Sequence, residues 1–290
     1  MPIDTPPLVP LGHTQEIVER VHVMPDRRVE FVPNAGIVVG DRSTLVIETA
    51  LGPRNGHRIF EEAKRLGGER KLLLTTTHFH PEHAFGAQSF GSATYVCNAA
   101  QAEELAVKGP EYIEMFSGFG SGLAELLSDV DLTSPDVVYD GPAASLDLGG
   151  VVAQLLFVGP AHTRGDQVIF LPESRVLFVG DLVEERFLPI FPDEDADGIL
   201  WLQVLDRLQS LEPEIVVGGH GQVGDASLIE ALRDYLVTVR DRVALLRADG
   251  VSLTEIEQQL EAELAERQSD WDNQMWIKSA IDSFHGALSR

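Results

Sequence analysis

Apolar residues recur along this chain at two spacings, and the alternation between them separates short strands from amphipathic helices. The β-branched runs at 29–32, 37–40 and 45–49, set apart by Pro33-Asn34, Gly36 and Asp41, predict three strands joined by tight turns. Ile59, Phe60, Ala63 and Leu66 then fall at helical spacing, which predicts a helix over 53–68 stopped by Gly67-Gly68. A buried strand at 71–76 follows, and after it a strand at 94–97 with Asn98 placed to cap a helix over 99–107. Residues 111–129 have a mostly helical pattern broken by Gly118, Gly120 and Gly122. Strands resume at 136–139, 145–148, 151–158, 167–171 and 175–179, then a helix at 198–211 and a short strand at 214–217. From 225 onward the pattern is helical, ending in helices over 252–267 and 270–288.

No internal repeat or long linker interrupts this order. The expectation is one domain over 1–290, with about 225–290 as a helical C-terminal extension. Strand-rich halves each closed by helices suggest helices packed on both outer faces of a β-sandwich.

Chemistry concentrates where apolar strands end. The strand at 71–76 runs straight into Thr77-His78-Phe79-His80-Pro81-Glu82-His83, three imidazoles and a carboxylate within six residues. Neutral imidazole is a common ligand for zinc and related metals, and a loop at a strand's end lets alternate side chains converge. Three more strands share this design. Leu155-Leu156-Phe157-Val158 leads to His162, Val176-Leu177-Phe178-Val179-Gly180 to Asp181, and Ile215-Val216-Val217-Gly218-Gly219 to His220. Taken singly, such a histidine is more often structural and an Asp after Gly more often a turn former. The recurrence is what counts, since five of the nine histidines occupy these spots.

The ordered set HFHPEH, GPAHTRGD, VGDL and GGHG resembles the metallo-β-lactamase superfamily, in particular its glyoxalase II-like and lactonase-like hydrolases. The resemblance covers about 36–221. It implies an α/β fold of the αββα sandwich type with metals at one edge of the sheets. By position, His78, His80 and His162 would bind one metal, residue 82, His83 and His220 a second, and Asp181 both. Thr163, Gly165 and Asp166 match a segment that supports the third-histidine loop without touching metal. Two Zn2+ ions are the expected cofactor, with iron or manganese compatible with the same donors. The implied reaction is hydrolysis of an ester, thioester, lactone or amide by a metal-activated hydroxide, with Asp181 and Glu82 as catalytic carboxylates.

One position departs from the family pattern H-x-H-x-D-H: Glu82 stands where Asp is usual. The added methylene moves the carboxylate by roughly 1 Å, while metal–oxygen distances vary by only a few tenths. Glu82 can therefore ligate, accept a proton or turn away. A weakened second site would suit a mono-iron relative like the sulfur dioxygenases, using His78, His162 and Asp181. An inactive metal-binding protein is the other alternative.

The segment 111–122, EYIEMFSGFGSG, combines Tyr112, Met115, Phe116 and Phe119 with glycines and is the candidate substrate contact, suited to an apolar or acyl-bearing small molecule. These aromatics serve equally well to pack a helical excursion onto the body. The run Asp193-Glu194-Asp195-Ala196-Asp197 reads as a solvated turn. A net charge of −24 without a basic patch argues against nucleic acid and anionic membrane surfaces as partners. No run approaches the ~20 apolar residues of a membrane span. With no export signal at the start, a cytoplasmic protein is expected and β-lactam hydrolysis is not. The single cysteine, Cys97, reads as an inert core thiol. The C-terminal helices either pack on their own domain or offer a homodimer face.

Overall fold

The computed structural model describes residues 2–288. Two sheets face each other. The first contains β1 (Gln15–Val18), β2 (Val21–Met24), β3 (Ala35–Val39), β4 (Ser43–Ile47), β5 (Lys71–Thr75), β6 (Thr94–Asn98) and β7 (Val137–Tyr139), paired in chain order. The second contains β8 (Ala143–Asp147), β9 (Val152–Phe157), β10 (Gln167–Leu171), β11 (Val176–Gly180) and β12 (Ile215–Gly218), in the order β12-β11-β10-β9-β8.

Strand period places alternate side chains on opposite faces. Ile169, Leu171, Val176 and Phe178 turn inward, meeting Val38, Leu45 and Ile47 of the first sheet in the central core. Their neighbours Val168, Phe170, Leu177 and Val179 turn outward beneath helices α5 (Gly198–Ser210), α6 (Ser227–Ala248), α7 (Leu253–Arg267) and α8 (Ile277–Ala287). On the other side Ile37, Val46, Leu72 and Leu74 lie beneath α1 (Gly52–Gly67), α3 (Ala99–Ser117) and α4 (Ser121–Leu127). Three apolar layers between four structural layers make an αββα sandwich. The helical C-terminal extension packs onto the second sheet's outer face, and its residues 289 and 290 lie outside the described residues.

Several elements differ from the sequence reading. Residues 29–32 form no strand; Arg27, Arg28 and Phe31 take left-handed backbone angles (φ 55°, 56° and 57°), which breaks any ladder and turns 25–34 into a folded loop. The hairpin β1–β2 was not foreshadowed by any β-branched run of usual length. Asn98 caps α3 by accepting from Gln101 N at 2.9 Å, but the helix continues through Pro110 to Ser117. The last helix begins at Ile277, after a turn at Gln274–Trp276.

Strand direction decides where chemistry can gather. β4, β5 and β6 run parallel, as do β11 and β12, with β9 pointing the same way as β11 because each is antiparallel to β10. The carboxyl ends of β5, β9, β11 and β12 thus open at one edge of the sandwich. Gln167, at the start of β10, bridges the sheets there: its backbone N donates to Thr77 O at 2.9 Å and its side chain to Thr76 O at 2.6 Å.

Phe284 anchors α8 with 0% exposure and sits against Gly198 at the start of α5. Phe284→Ala is expected to cost about 3–5 kcal/mol, read as a lower urea midpoint at unchanged slope. A loss below about 1 kcal/mol would show that the C-terminal helices fold apart from the sandwich.

Candidate metal centre

Pro81–Ala84 forms a single helical turn, α2, in which the N–H groups of His83 and Ala84 donate to His80 O. The turn is held from the segment just after β4, since Thr49 donates both its N and its Oγ1 to His83 O at 2.8 and 2.9 Å. It aims His78 and His80 to one side and Glu82 and His83 to the other.

On the first side, His78 Nε2 and His162 Nε2 lie 3.0 and 3.1 Å from His80 Nδ1, and each lies 3.8 Å from Asp181 Oδ2. Metal–nitrogen bonds of 2.0–2.1 Å in a tetrahedron give edges of about 3.3 Å, which is the scale of this set. On the other side, Asp181 Oδ1 lies 3.1 Å from His83 Nε2 and 3.9 Å from His220 Nε2. Glu82 joins this second set, whose four donor atoms lie within 4.8 Å of one another. The two oxygens of Asp181 therefore face two different half-sites. Gly219 makes room for this: a Cβ there would come within 1.9 Å of Asp181 Oδ1.

Outer contacts choose which nitrogen of each ring faces inward. Thr77 Oγ1 donates to Glu48 Oε1 at 2.6 Å and so accepts from His78 Nδ1 at 3.0 Å, leaving His78 Nε2 bare. His162 Nδ1 donates to Ile190 O at 2.9 Å with the same effect. The His162 loop is closed by Asp166, which accepts from His162 N (2.8 Å), Thr163 N (3.0 Å) and Thr163 Oγ1 (2.5 Å). Glu104 of α3 holds the same loop from outside, accepting from Gly165 N at 2.7 Å. The loop at 25–34 supports His220: Asn34 Nδ2 donates to Gly218 O and Gly221 O, and Asp26 Oδ2 accepts from Gly221 N at 3.0 Å.

Charge decides what the centre can hold. Asp26, Glu48, Glu82, Asp181 and Glu184 are all buried around it, whereas no lysine or arginine among the described residues is buried. Burial holds His78, His80, His162 and His220 below the usual imidazole range, so these rings are neutral with lone pairs free. His83 is the exception: burial opposes its charge, but Asp181 and Glu48 outweigh that and push it well above the usual range. Burial, reinforced by Asp181, pushes the Glu82 carboxyl up to about 7, although His83 pulls the other way. Glu184 is raised still further by burial and by Asp181. His80 Nε2, both nitrogens of His83, Asp181 Oδ1, Glu82 Oε2 and Glu184 Oε1 have no hydrogen-bond partner despite burial. Nine in ten buried polar groups find one. His83 Nε2 and Asp181 Oδ1 approach without bonding, as atoms do when both point at a third position. Imidazole and carboxylate donors with a negative surplus fit divalent cations.

Residues 28–220, about two thirds of the chain, match the profile of the metallo-beta-lactamase superfamily. The chain belongs to that superfamily. Among its curated members, the linear primary-alkylsulfatase of Pseudomonas sp. (strain ATCC 19151) is 25% identical over 240 residues, covering 71% of this chain and 44% of the relative. The acyl-coenzyme A thioesterase MBLAC2 of Gallus gallus is 29% identical over 170 residues, covering 52% of this chain and 57% of the relative. The chain thus spans about half the length of these relatives. Among superfamily structures, a metallo-beta-lactamase from Pontibacter korlensis superposes with a TM-score of 0.61 at 21% identity, covering 77% of this chain and 97% of that one. The sec-alkylsulfatase Pisa1 from Pseudomonas sp. reaches 0.72 at 15% identity, covering 94% of this chain and 50% of that one. At these identities both share the superfamily fold.

The candidate substrate residues separate into two pairs. Tyr112 and Phe116 are buried in the first sheet's helical core, and Tyr112 stacks on His80 with ring centroids 5.2 Å apart. Met115 and Phe119 are 41% and 42% exposed, with Phe119 stacked on Phe31 of the 25–34 loop. The acidic run is not freely solvated: Lys108 Nζ reaches Asp193 Oδ2 at 2.8 Å and Asp195 Oδ2 at 2.6 Å, tying the run to α3. Cys97 is buried, its thiol pushed up to about 12 by burial, and no helix among the described residues is long and apolar enough to cross a membrane.

Sequence reasoning missed Glu48, Glu104, Asp26, Asn34 and Glu184. Glu48 carried a readable signal, an acid directly after Leu45-Val46-Ile47, the design already noted at Asp181. Asp26 and Asn34 act across some 190 residues and had none.

Glu48→Gln is expected to lower metal affinity about 10- to 100-fold, measured by chelator competition. In the metal-free protein the contribution of Glu82 to stability should fall as pH rises, against the opposite trend of the four histidines held below their usual range. Glu82 contributes fully below its ordinary 4.5, and that contribution drains away as pH climbs through about 7. The difference amounts to about 3 kcal/mol. From pH 5 to 8 the melting temperature of the metal-free wild type should fall relative to that of metal-free Glu82→Gln; a constant difference between the two would refute this.

Proposed function

We propose that this chain is a two-metal hydrolase acting on a small substrate with an alkyl or acyl chain, joined through an ester, thioester or sulfate ester. The observation that carries the reading is Asp181, whose two carboxylate oxygens face separate donor sets, His78, His80 and His162 on one side and Glu82, His83 and His220 on the other. Divalent cations in these sets, zinc by default, supply a lowered water pKa and polarisation of the electrophile. The protein's own residues do the rest. Thr77 and Ile190 O hold the tautomers of His78 and His162, and Asp166 keeps His162 from swinging away. Glu82, a member of the second set whose carboxyl burial pushes up to about 7, takes a proton and hands it to the leaving group in this reading.

The substrate class has two supports. Met115 and Phe119 leave apolar surface beside the aromatic series Phe116, Tyr112 and His80 that leads to the centre. The names of the alkylsulfatase and acyl-coenzyme A thioesterase relatives both specify an alkyl or acyl chain. The same reading takes 1–290 as one domain.

The test is hydrolysis of a panel of acyl esters, acyl thioesters and alkyl sulfates of increasing chain length. The expected result is chelator-sensitive turnover that zinc or manganese restores, with His78→Ala reducing kcat/KM about a thousandfold. Phe119→Ala should raise KM for long chains and leave short ones unchanged. Stoichiometric iron, with oxygen uptake in the presence of a persulfide and no hydrolysis, would replace this reading with a sulfur dioxygenase-like oxidation.

A further inference from the structure

Glu184 lies three residues past Asp181, where the chain leaves β11 and runs beside the His220 loop. The two segments are in close register: Glu185 N donates to His220 O at 3.1 Å. Gly218 lets them touch, since a Cβ there would stand 2.4 Å from Val183 O and 3.3 Å from Glu184 Cα. Glu184 is 6% exposed, and its Oε1 has no hydrogen-bond partner. The charged groups acting on it are Asp181, His83, Glu82 and Asp26, all belonging to the second half-site or to its support.

An unpartnered carboxyl among other carboxylates destabilises the folded chain, and an apolar side chain of similar size would avoid that cost. A cation in the neighbouring donor set removes the conflict.

We propose that Glu184 is a further carboxylate arm of the second half-site, facing the cation held between Glu82, His83, Asp181 and His220. This rests on the two-metal reading above and extends it. The four donors grouped there are two carboxylates and two imidazoles, to which Glu184 would add a third carboxylate from beside them, against three imidazoles and one carboxylate in the first. The oxygen-rich set is the harder one. It favours Mn2+ or Fe2+ relative to the first, where zinc is better matched. The two half-sites are therefore built for different metals.

The experiment compares wild-type protein, Glu184→Gln and Glu184→Asp, each stripped and then titrated with Zn2+ and with Mn2+ against a competing chelator. Bound metal is counted after dialysis. Wild type should keep two equivalents. Glu184→Gln should keep the first zinc unchanged and bind the second metal about tenfold or more weakly, with the larger loss for Mn2+. Glu184→Asp should fall between them. Melting temperatures give an independent reading: without metal, Glu184→Gln should melt above wild type at pH 8, because an unpaired buried acid has been removed, and with metal below it. A second Mn2+ held by Glu184→Gln as tightly as by wild type would overturn the proposal. So would a Glu184→Gln that melts below wild type with and without metal, which is the mark of a purely structural side chain. Wild-type protein that retains no metal would instead overturn the two-metal reading itself.

Discussion

A concentration of buried carboxyl groups, with no buried lysine or arginine among the described residues to answer it, governs this structure. Five carboxyl groups converge on one edge of the sandwich; Glu48 and Asp26 are met by neutral donors, and the titratable partners beside the group are imidazoles, most of them kept neutral by burial. Water cannot screen groups this deep, so the fold tolerates them only as far as protons or cations compensate. The charged His83 wedged between Asp181 and Glu48 is one such answer, and a divalent ion at the same place is a stronger one.

The sandwich makes this concentration attainable. Parallel strands deliver their carboxyl ends to one edge, and each ligand-type side chain follows directly on an apolar strand that fixes its origin. Second contacts then orient the rings: Thr77 works from within the histidine motif, Ile190 O from the loop beyond β11, and Asn34 and Asp26 from the loop before β3. The supporting residues thus come from distant stretches of chain. Loss of any one would leave the donor set chemically intact and geometrically loose.

Much of this was legible in the sequence. The αββα layering follows from strand runs flanked by amphipathic helices, and the convergence of His78, His162, Asp181 and His220 follows from their repeated strand-then-ligand endings. The loop at 25–34 was not legible, because Val29 and Val32 suggest a strand while the deciding facts are left-handed angles at Arg27, Arg28 and Phe31. The length of α3 was hidden by Gly109-Pro110, which locally oppose a helix that tertiary packing sustains. Tyr112 illustrates the limit at the site itself. Its stacking on His80 links two elements whose spacing carries no pattern, so only the folded chain reveals it.

Asp181 is shared property, and sharing has a thermodynamic consequence. A cation held by the Oδ2 side would stiffen the carboxylate and draw electron density away from Oδ1, which faces the other donor set. Occupancy on one side thus necessarily alters affinity on the other, and by linkage the influence is mutual. On the two-metal reading, two ions would not load as independent events, and the singly filled species would differ from half of the doubly filled one.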